Sequence, residues 1–166
     1  MILGVPAAVY TFIHVLLSLI GIGSGFVVLY GFISGRLLSG WTGLFLATTV
    51  ATSVTGYGFP AHKVTPGHIV GALSLVVLTI AILALYRFDL AGAWRSTYVV
   101  SASLALYFNF FVLVVQSFEK VPALKELAPT QSEPPFAIAQ LVVLAAFIVL
   151  TVKAVKRFRI EAAPAV

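Results

Sequence analysis

The sequence predicts an all-α, polytopic membrane protein, and three observations support this fold class. Hydrophobic residues make up 61% of the chain and charged residues only 9%, whereas about a quarter of an ordinary soluble domain is charged. The mean hydropathy is +1.11. Almost every charged residue lies between apolar runs rather than inside one. A water-exposed surface cannot be built from this composition, so the chain is predicted to lie in a lipid bilayer.

Five apolar runs are each close to the about 20 residues that cross a bilayer core as a helix. They are residues 7–33, 41–59, 67–86, 97–118 and 135–152. We therefore expect a transmembrane bundle of five spans, forming one helical domain over residues 1–166. The first run is interpreted as a retained span rather than a cleaved signal peptide, because Met1–Ala8 contains no Lys or Arg and the run exceeds an ordinary signal-peptide core.

The basic residues predict the orientation. With the N-terminus outside and the C-terminus inside, seven basic residues lie on the inner side and three on the outer side, as the positive-inside rule requires. The inner set is Arg36, Arg87, Arg95, Lys153, Lys156, Arg157 and Arg159, and the outer set is Lys63, Lys120 and Lys125. The tryptophans Trp41 and Trp94 fall at inner ends of spans, which is typical of an interfacial aromatic belt.

Net charge and cysteine content exclude several classes. A net charge of +5 would indicate nucleic acid in a soluble protein, but here the basic residues flank spans, where lipid headgroups and topology account for them. We therefore expect the lipid bilayer, and no nucleic acid, as a partner. The absence of cysteine excludes disulfides, thiolate metal sites and cysteine nucleophiles.

Small residues and prolines indicate how the bundle is built. Ser18, Gly21 and Gly25 lie on one stripe of the first span, and small residues let helices in lipid approach closely. Thr65 and Pro66 are a plausible N-cap and first position of the third span. The proline-rich segment 119–134 is expected to form a folded or partly extended cap over the outer face.

Polar residues inside the spans gather towards the predicted outer side. Polar groups are costly in hydrocarbon and usually face the bundle interior or a wet cavity. The polar residues inside the spans therefore predict a pocket that opens to the outer leaflet. Its candidate binding residues are His14, His68, Asn109, Gln116 and Gln140.

Several ligands suit such a pocket. Neutral imidazole ligates haem iron and other metals, and His68, in a first helical turn, is biased towards the neutral form. His14 and His68 are therefore candidates to hold haem b, or a quinone headgroup that the three amides orient. A zinc or copper site on His14, His62 and His68 is a weaker alternative, because no HExxH pattern occurs. The alternative without a ligand is that the histidines only bond to backbone carbonyls or lie among headgroups.

No motif in the chain names a reaction, so whether it is an enzyme and which residues are catalytic stay open. No serine pairs by sequence with a histidine and an aspartate, and Asp89 is predicted on the inner side. The alternative to a ligand-binding redox protein is a non-catalytic subunit of a membrane complex or a small-solute transporter, either of which is compatible with a homo-oligomer.

Three segments carry a resemblance: ATTVATSVTGYGFP (Ala47–Pro60), YFNFFVLVVQSFEK (Tyr107–Lys120) and PALKELAPTQSEPPF (Pro122–Phe136). They resemble small polytopic membrane proteins of bacteria that have no assigned activity. This resemblance implies a multi-pass protein of the bacterial inner membrane and supplies no substrate or mechanism. The two span histidines resemble those of small b-type cytochrome membrane domains, but no histidine lies on the predicted inner side, which allows at most one haem.

Overall fold

A computed structural model describes residues 1–61 and 63–159, and within them the chain is all-helical. The described part contains no strand, only an isolated bridge between Ile2 and Val5. The six α-helices are α1 (Ala7–Ile33), α2 (Ser39–Gly56), α3 (Pro66–Ile82), α4 (Ala93–Lys120), α5 (Pro122–Leu127) and α6 (Pro134–Arg157). A π-helical turn, Leu83–Arg87, continues α3.

Four helices are long and apolar enough to cross a membrane: α1, α3 with its π-helical turn, α4 and α6. They coincide with four of the five predicted runs. Helices α4 and α6 continue beyond those runs. Arg95 lies in the first turn of α4, and the last five residues of α6 include Lys153, Lys156 and Arg157. The all-α membrane fold is therefore confirmed at the level of four candidate spans.

Helix α2 coincides with the remaining run but is more polar, because seven of its 18 residues are serine or threonine. Four of these hydroxyls bond to the carbonyl one turn earlier, at 2.7–2.9 Å. They belong to Thr48, Thr52, Ser53 and Thr55. Each of these hydroxyls donates its hydrogen within the helix, which lowers the free-energy cost of burying the hydroxyl group.

Helices α1 and α2 pack antiparallel along most of the length of α2. A Cβ placed on Gly25 would lie 2.9 Å from the Phe45 ring, and one on Gly21 would lie 3.0 Å from Oγ1 of Thr49. Near the other end, Nδ1 of His14 is 2.8 Å from Oγ1 of Thr55. The predicted small-residue stripe is confirmed as a packing seam, since Gly21 and Gly25 meet α2 and α4 directly.

The two ends of the bundle differ in polarity. We call the end where α1 begins, α2 ends and α3 begins the histidine end. The apolar core lies towards the opposite end, where Phe32, Phe45, Tyr98 and Leu106 are almost completely buried. Phe158, one residue past α6, is fully buried in the same cluster.

The proline-rich segment between α4 and α6 is folded, as predicted. It contains α5, and the Gln131 amide donates a 3.0 Å bond to the backbone carbonyl of Val115 in α4. The Glu133 carboxylate, at the start of α6, accepts bonds from the Thr130 hydroxyl at 2.8 Å and the Ser132 amide at 3.1 Å. These bonds hold the turn that leads into α6.

We expect this turn to open at low pH. Some loss of solvation raises the pKa of Glu133, but the Thr130 hydroxyl and backbone amides lower it more strongly, so its net pKa lies below the ordinary 4.5. A depressed carboxyl pKa stabilises the folded turn at pH above 4.5, and that contribution is lost as pH falls through the folded-state pKa. The Thr130 and Ser132 amides should lose their protection from hydrogen exchange, corrected for intrinsic rates, only when the pH is below the folded-state pKa of Glu133. Unchanged protection in Glu133→Gln at neutral pH would contradict the expectation.

Candidate ligand site at the histidine end

His14 lies two turns into α1 and faces the end of α2. Its ring is half-buried, with Nδ1 2.8 Å from Oγ1 of Thr55. The edge of the ring meets Phe59, with centroids 5.1 Å apart and planes at 83°. The imidazole also passes close to Gly56, where an added Cβ would lie 3.7 Å from Cε1, an ordinary van der Waals contact.

The hydroxyl of Thr55 fixes the direction of the His14 bond. A hydroxyl has one hydrogen, and Thr55 donates it to the carbonyl of Ala51 at 2.7 Å, with the carbonyl of Thr52 at 3.2 Å. Its oxygen must therefore accept from Nδ1–H of His14. In the neutral ring, Nε2 is then the unprotonated nitrogen, an acceptor and a ligand.

Tyr10 completes the surroundings of His14. Its hydroxyl donates to the backbone carbonyl of Thr55 at 2.8 Å, and its ring lies 5.2 Å from Phe59 in an edge-to-face contact. The chain passes closest at Gly58, where any Cβ would collide with the Tyr10 hydroxyl. We call Tyr10, His14, Thr55 and Phe59 the His14 niche.

His68 has the opposite hydrogen-bond arrangement. Thr65 is the N-cap of α3 and Pro66 its first residue, as predicted, and His68 completes a capping box. Nδ1 of His68 accepts from the Thr65 amide at 3.2 Å, so the hydrogen of the neutral ring resides on Nε2. The ring stacks on Tyr57 at 5.3 Å and 12°, and the Tyr57 hydroxyl donates to the His68 carbonyl at 2.7 Å.

The two histidines serve different helix pairs, with His14 between α1 and α2 and His68 between α2 and α3. No hydrogen bond or ring contact joins them in residues 1–61 and 63–159. The third predicted metal ligand, His62, lies outside the described residues. Within those residues there is no group of three or more His, Asp or Glu side chains able to hold a metal. The three-histidine metal site stays a prediction.

Asn109 lies one helical turn further into the bundle than His14, tied to the same stripe of α1. Its Oδ1 accepts from the Ser18 hydroxyl at 2.8 Å, and its Nδ2 donates to the Ser18 carbonyl at 3.4 Å. The Thr48 and Thr49 hydroxyls also approach Gly21, and the buried Thr49 oxygen has no hydrogen-bond partner among the described residues. We call Ser18, Gly21, Thr48, Thr49 and Asn109 the Asn109 cluster.

The two predicted glutamines lie elsewhere. Gln140 on α6 donates from Nε2 to the carbonyl of Phe111 at 3.3 Å, and its buried Oε1 bonds to no group in the part of the chain that the structure describes. Gln116 donates to Glu119 on its own helix at 3.3 Å. The structure thus joins His14 and Asn109 through one stripe of α1, while Gln140 belongs to the α4–α6 contact.

Sequence reasoning missed Tyr10 and Phe59 as site residues. The available signal was the spacing of Tyr10 and His14, four residues apart on one helix face. The niche offers the unprotonated Nε2 of a histidine whose ring packs on Phe59, which suits coordination of iron or acceptance of a hydrogen bond from an aromatic ligand. No protein-family model, curated protein or solved structure matches the chain.

Proposed function

We propose that the protein is a five-span protein of the bacterial inner membrane that holds a small redox ligand, a quinone headgroup or haem b, at its histidine end. One observation carries the proposal: Thr55 orients His14 through Nδ1, and no residue in the described part of the chain bonds to Nε2. Ligating histidines are commonly oriented in this way, by a hydrogen bond to the other ring nitrogen. His14 is the principal binding residue and His68 a second one.

The antiparallel pairing of α1 and α2 supports the fifth span. Helix α2 follows α1 from Gly25 to His14, so it covers the same depth in the bilayer as its neighbour. Four of its seven hydroxyls are bonded within the helix, and its outward side carries apolar groups such as Leu44 and Val54. With α2 crossing, the N-terminus lies outside and the C-terminus inside, in agreement with the basic residues.

The amides have supporting roles in this proposal. Asn109 holds Ser18, one turn below His14, and so orients the floor of the site. Gln116 and Gln140 act from α4 and α6 and would reach only a ligand that extends across the outer half of the bundle. A haem bound through both histidines would require His68 to release the Thr65 amide.

The test is the cofactor content of the protein purified in mild detergent. A Soret band that is lost in His14→Ala supports haem b, and extracted quinone whose amount falls in His14→Ala supports a quinone. Folding of the variant is checked by its helical circular dichroism. A colourless preparation with no quinone, unchanged by the substitution and unable to take up either ligand when it is added, contradicts the proposal.

A small-solute carrier is the second candidate, favoured by the Asn109 cluster, which places polar groups in the bundle interior. An apolar layer follows directly, where Gly25 meets Phe45 and Leu106. Uptake of a polar solute into proteoliposomes, reduced by Asn109→Leu, would support this function over ligand binding.

A further inference from the structure

We propose that the His14 niche recognises the hydroquinone form of a quinone in preference to the oxidised form. This inference rests on the proposed function and names the class and redox state of its ligand. It concerns binding alone.

The side chains of the His14 niche use all of their hydrogen-bond donors within the protein. The Thr55 hydroxyl gives its hydrogen to the carbonyl of Ala51, and the Tyr10 hydroxyl gives its own to the carbonyl of Thr55. Nδ1–H of His14 is donated to the Thr55 oxygen. Phe59 has none to give. With respect to residues 1–61 and 63–159, the side chains of the niche therefore present one free lone pair, on Nε2, and no free donor.

A site with a free acceptor and no free donor favours a ligand that donates a hydrogen bond. A hydroquinone has two O–H groups, and one of them can donate to Nε2 while the ring lies among Tyr10 and Phe59. An oxidised quinone has only carbonyl acceptors, so its oxygen would face the Nε2 lone pair without a hydrogen between them. The binding free energy lost when no hydrogen lies between Nε2 and the ligand oxygen is about that of one neutral hydrogen bond. This loss corresponds to roughly tenfold in affinity.

A hydroquinone and a haem held by two histidines make different demands on His14 and His68. Nε2 of His14 could ligate iron equally well, but a haem held by two histidines, as in membrane b-type cytochromes, would also need His68 as its second axial ligand. The other span histidine, His68, carries its hydrogen on Nε2 because the Thr65 amide uses Nδ1. Two-histidine ligation would break the capping box that begins α3. A hydroquinone needs only the nitrogen that the niche already offers.

The experiment compares duroquinol with duroquinone, bound anaerobically to the full-length protein in detergent and measured by equilibrium dialysis. We expect duroquinol to bind roughly tenfold more tightly. His14→Asn retains a nitrogen near the position of Nδ1 but lacks Nε2, so it should bind both forms weakly and equally. Equal binding of the two forms by the unmodified protein, or tighter binding of duroquinone, overturns the inference.

Thr55 supplies a second, independent pair of variants. Thr55→Val removes the acceptor that fixes the ring, so the imidazole can place its hydrogen on Nε2 and the preference should fall towards unity. Thr55→Ser retains the hydroxyl and should retain the preference. Should His14→Asn fail to fold, this pair still decides, because a preference unchanged in Thr55→Val overturns the inference.

The outcomes also distinguish the inference from the proposed function. A Soret band lost in His14→Asn, without binding of duroquinol, overturns the hydroquinone and leaves the redox-ligand proposal standing. Absence of haem together with no binding of either duroquinol or duroquinone overturns both.

Discussion

Replacing Phe158 with alanine should lower the free energy of unfolding by about 3 kcal/mol, the usual scale for removing a buried aromatic side chain. Phe158 is fully buried, with its ring 4.9 Å from Phe32 and 6.4 Å from Tyr98. Helix α6 is otherwise lightly packed, with only Phe147 and Ala154 buried along it. The aromatic ring beyond its last turn therefore fixes this helix to the bundle.

Thermal or denaturant unfolding in one detergent measures the effect, and Phe12→Ala is the matched control. Phe12 is 66% exposed on α1, so its removal creates no cavity and should change stability by less than about 0.5 kcal/mol. Equal stability losses in the two variants would show that Phe158 does not pack in the core.

Gly25→Ala should destabilise the bundle by about 1–3 kcal/mol, the cost of overpacking a filled interior. The new Cβ would lie 2.5 Å from Cδ1 of Leu106 and 2.9 Å from the Phe45 ring. Both neighbours are almost completely buried, so neither can move aside without disturbing α2 or α4.

Gly23→Ala tests the same chemical change two residues away on the same helix. A Cβ at Gly23 meets nothing within 4 Å, and alanine is the better helix former by about 1 kcal/mol. This variant should be as stable as the unmodified protein or more so. Similar behaviour of the two variants in thermal unfolding would contradict the close approach of α1, α2 and α4 at Gly25.

Much of the fold follows from the sequence because hydrophobic runs in a bilayer leave the backbone few choices. An apolar run must close its own hydrogen bonds as a helix, so the bounds of α1 agree with the run 7–33. The cap of α3 was also predictable, because Thr65 and Pro66 have the residue types that begin helices. Charges and small residues added the proposed orientation and the packing seam at Gly21.

The candidate site was less predictable, because sequence shows the depth of a residue but not which helix it faces. Gln140 and His14 have similar predicted depths, yet Gln140 contacts α4 and His14 contacts α2. Thr55 is not among the predicted site residues, since its control of the His14 ring depends on an antiparallel register that no local pattern encodes. The basic residues after the last predicted run were used only to predict the orientation, and the buried Phe158 among them was overlooked.

Single-cysteine labelling tests most directly the claim that α1 and α2 cross the membrane as an antiparallel pair and place His14 outside. The chain has no cysteine, so each introduced thiol is the only target. In intact cells, a membrane-impermeant maleimide should label Lys63→Cys, just beyond α2, and should label Arg36→Cys, between α1 and α2, only after permeabilisation. Labelling of both positions from the same side would contradict the fifth span, and labelling of Arg36→Cys alone in intact cells would place the histidine end inside.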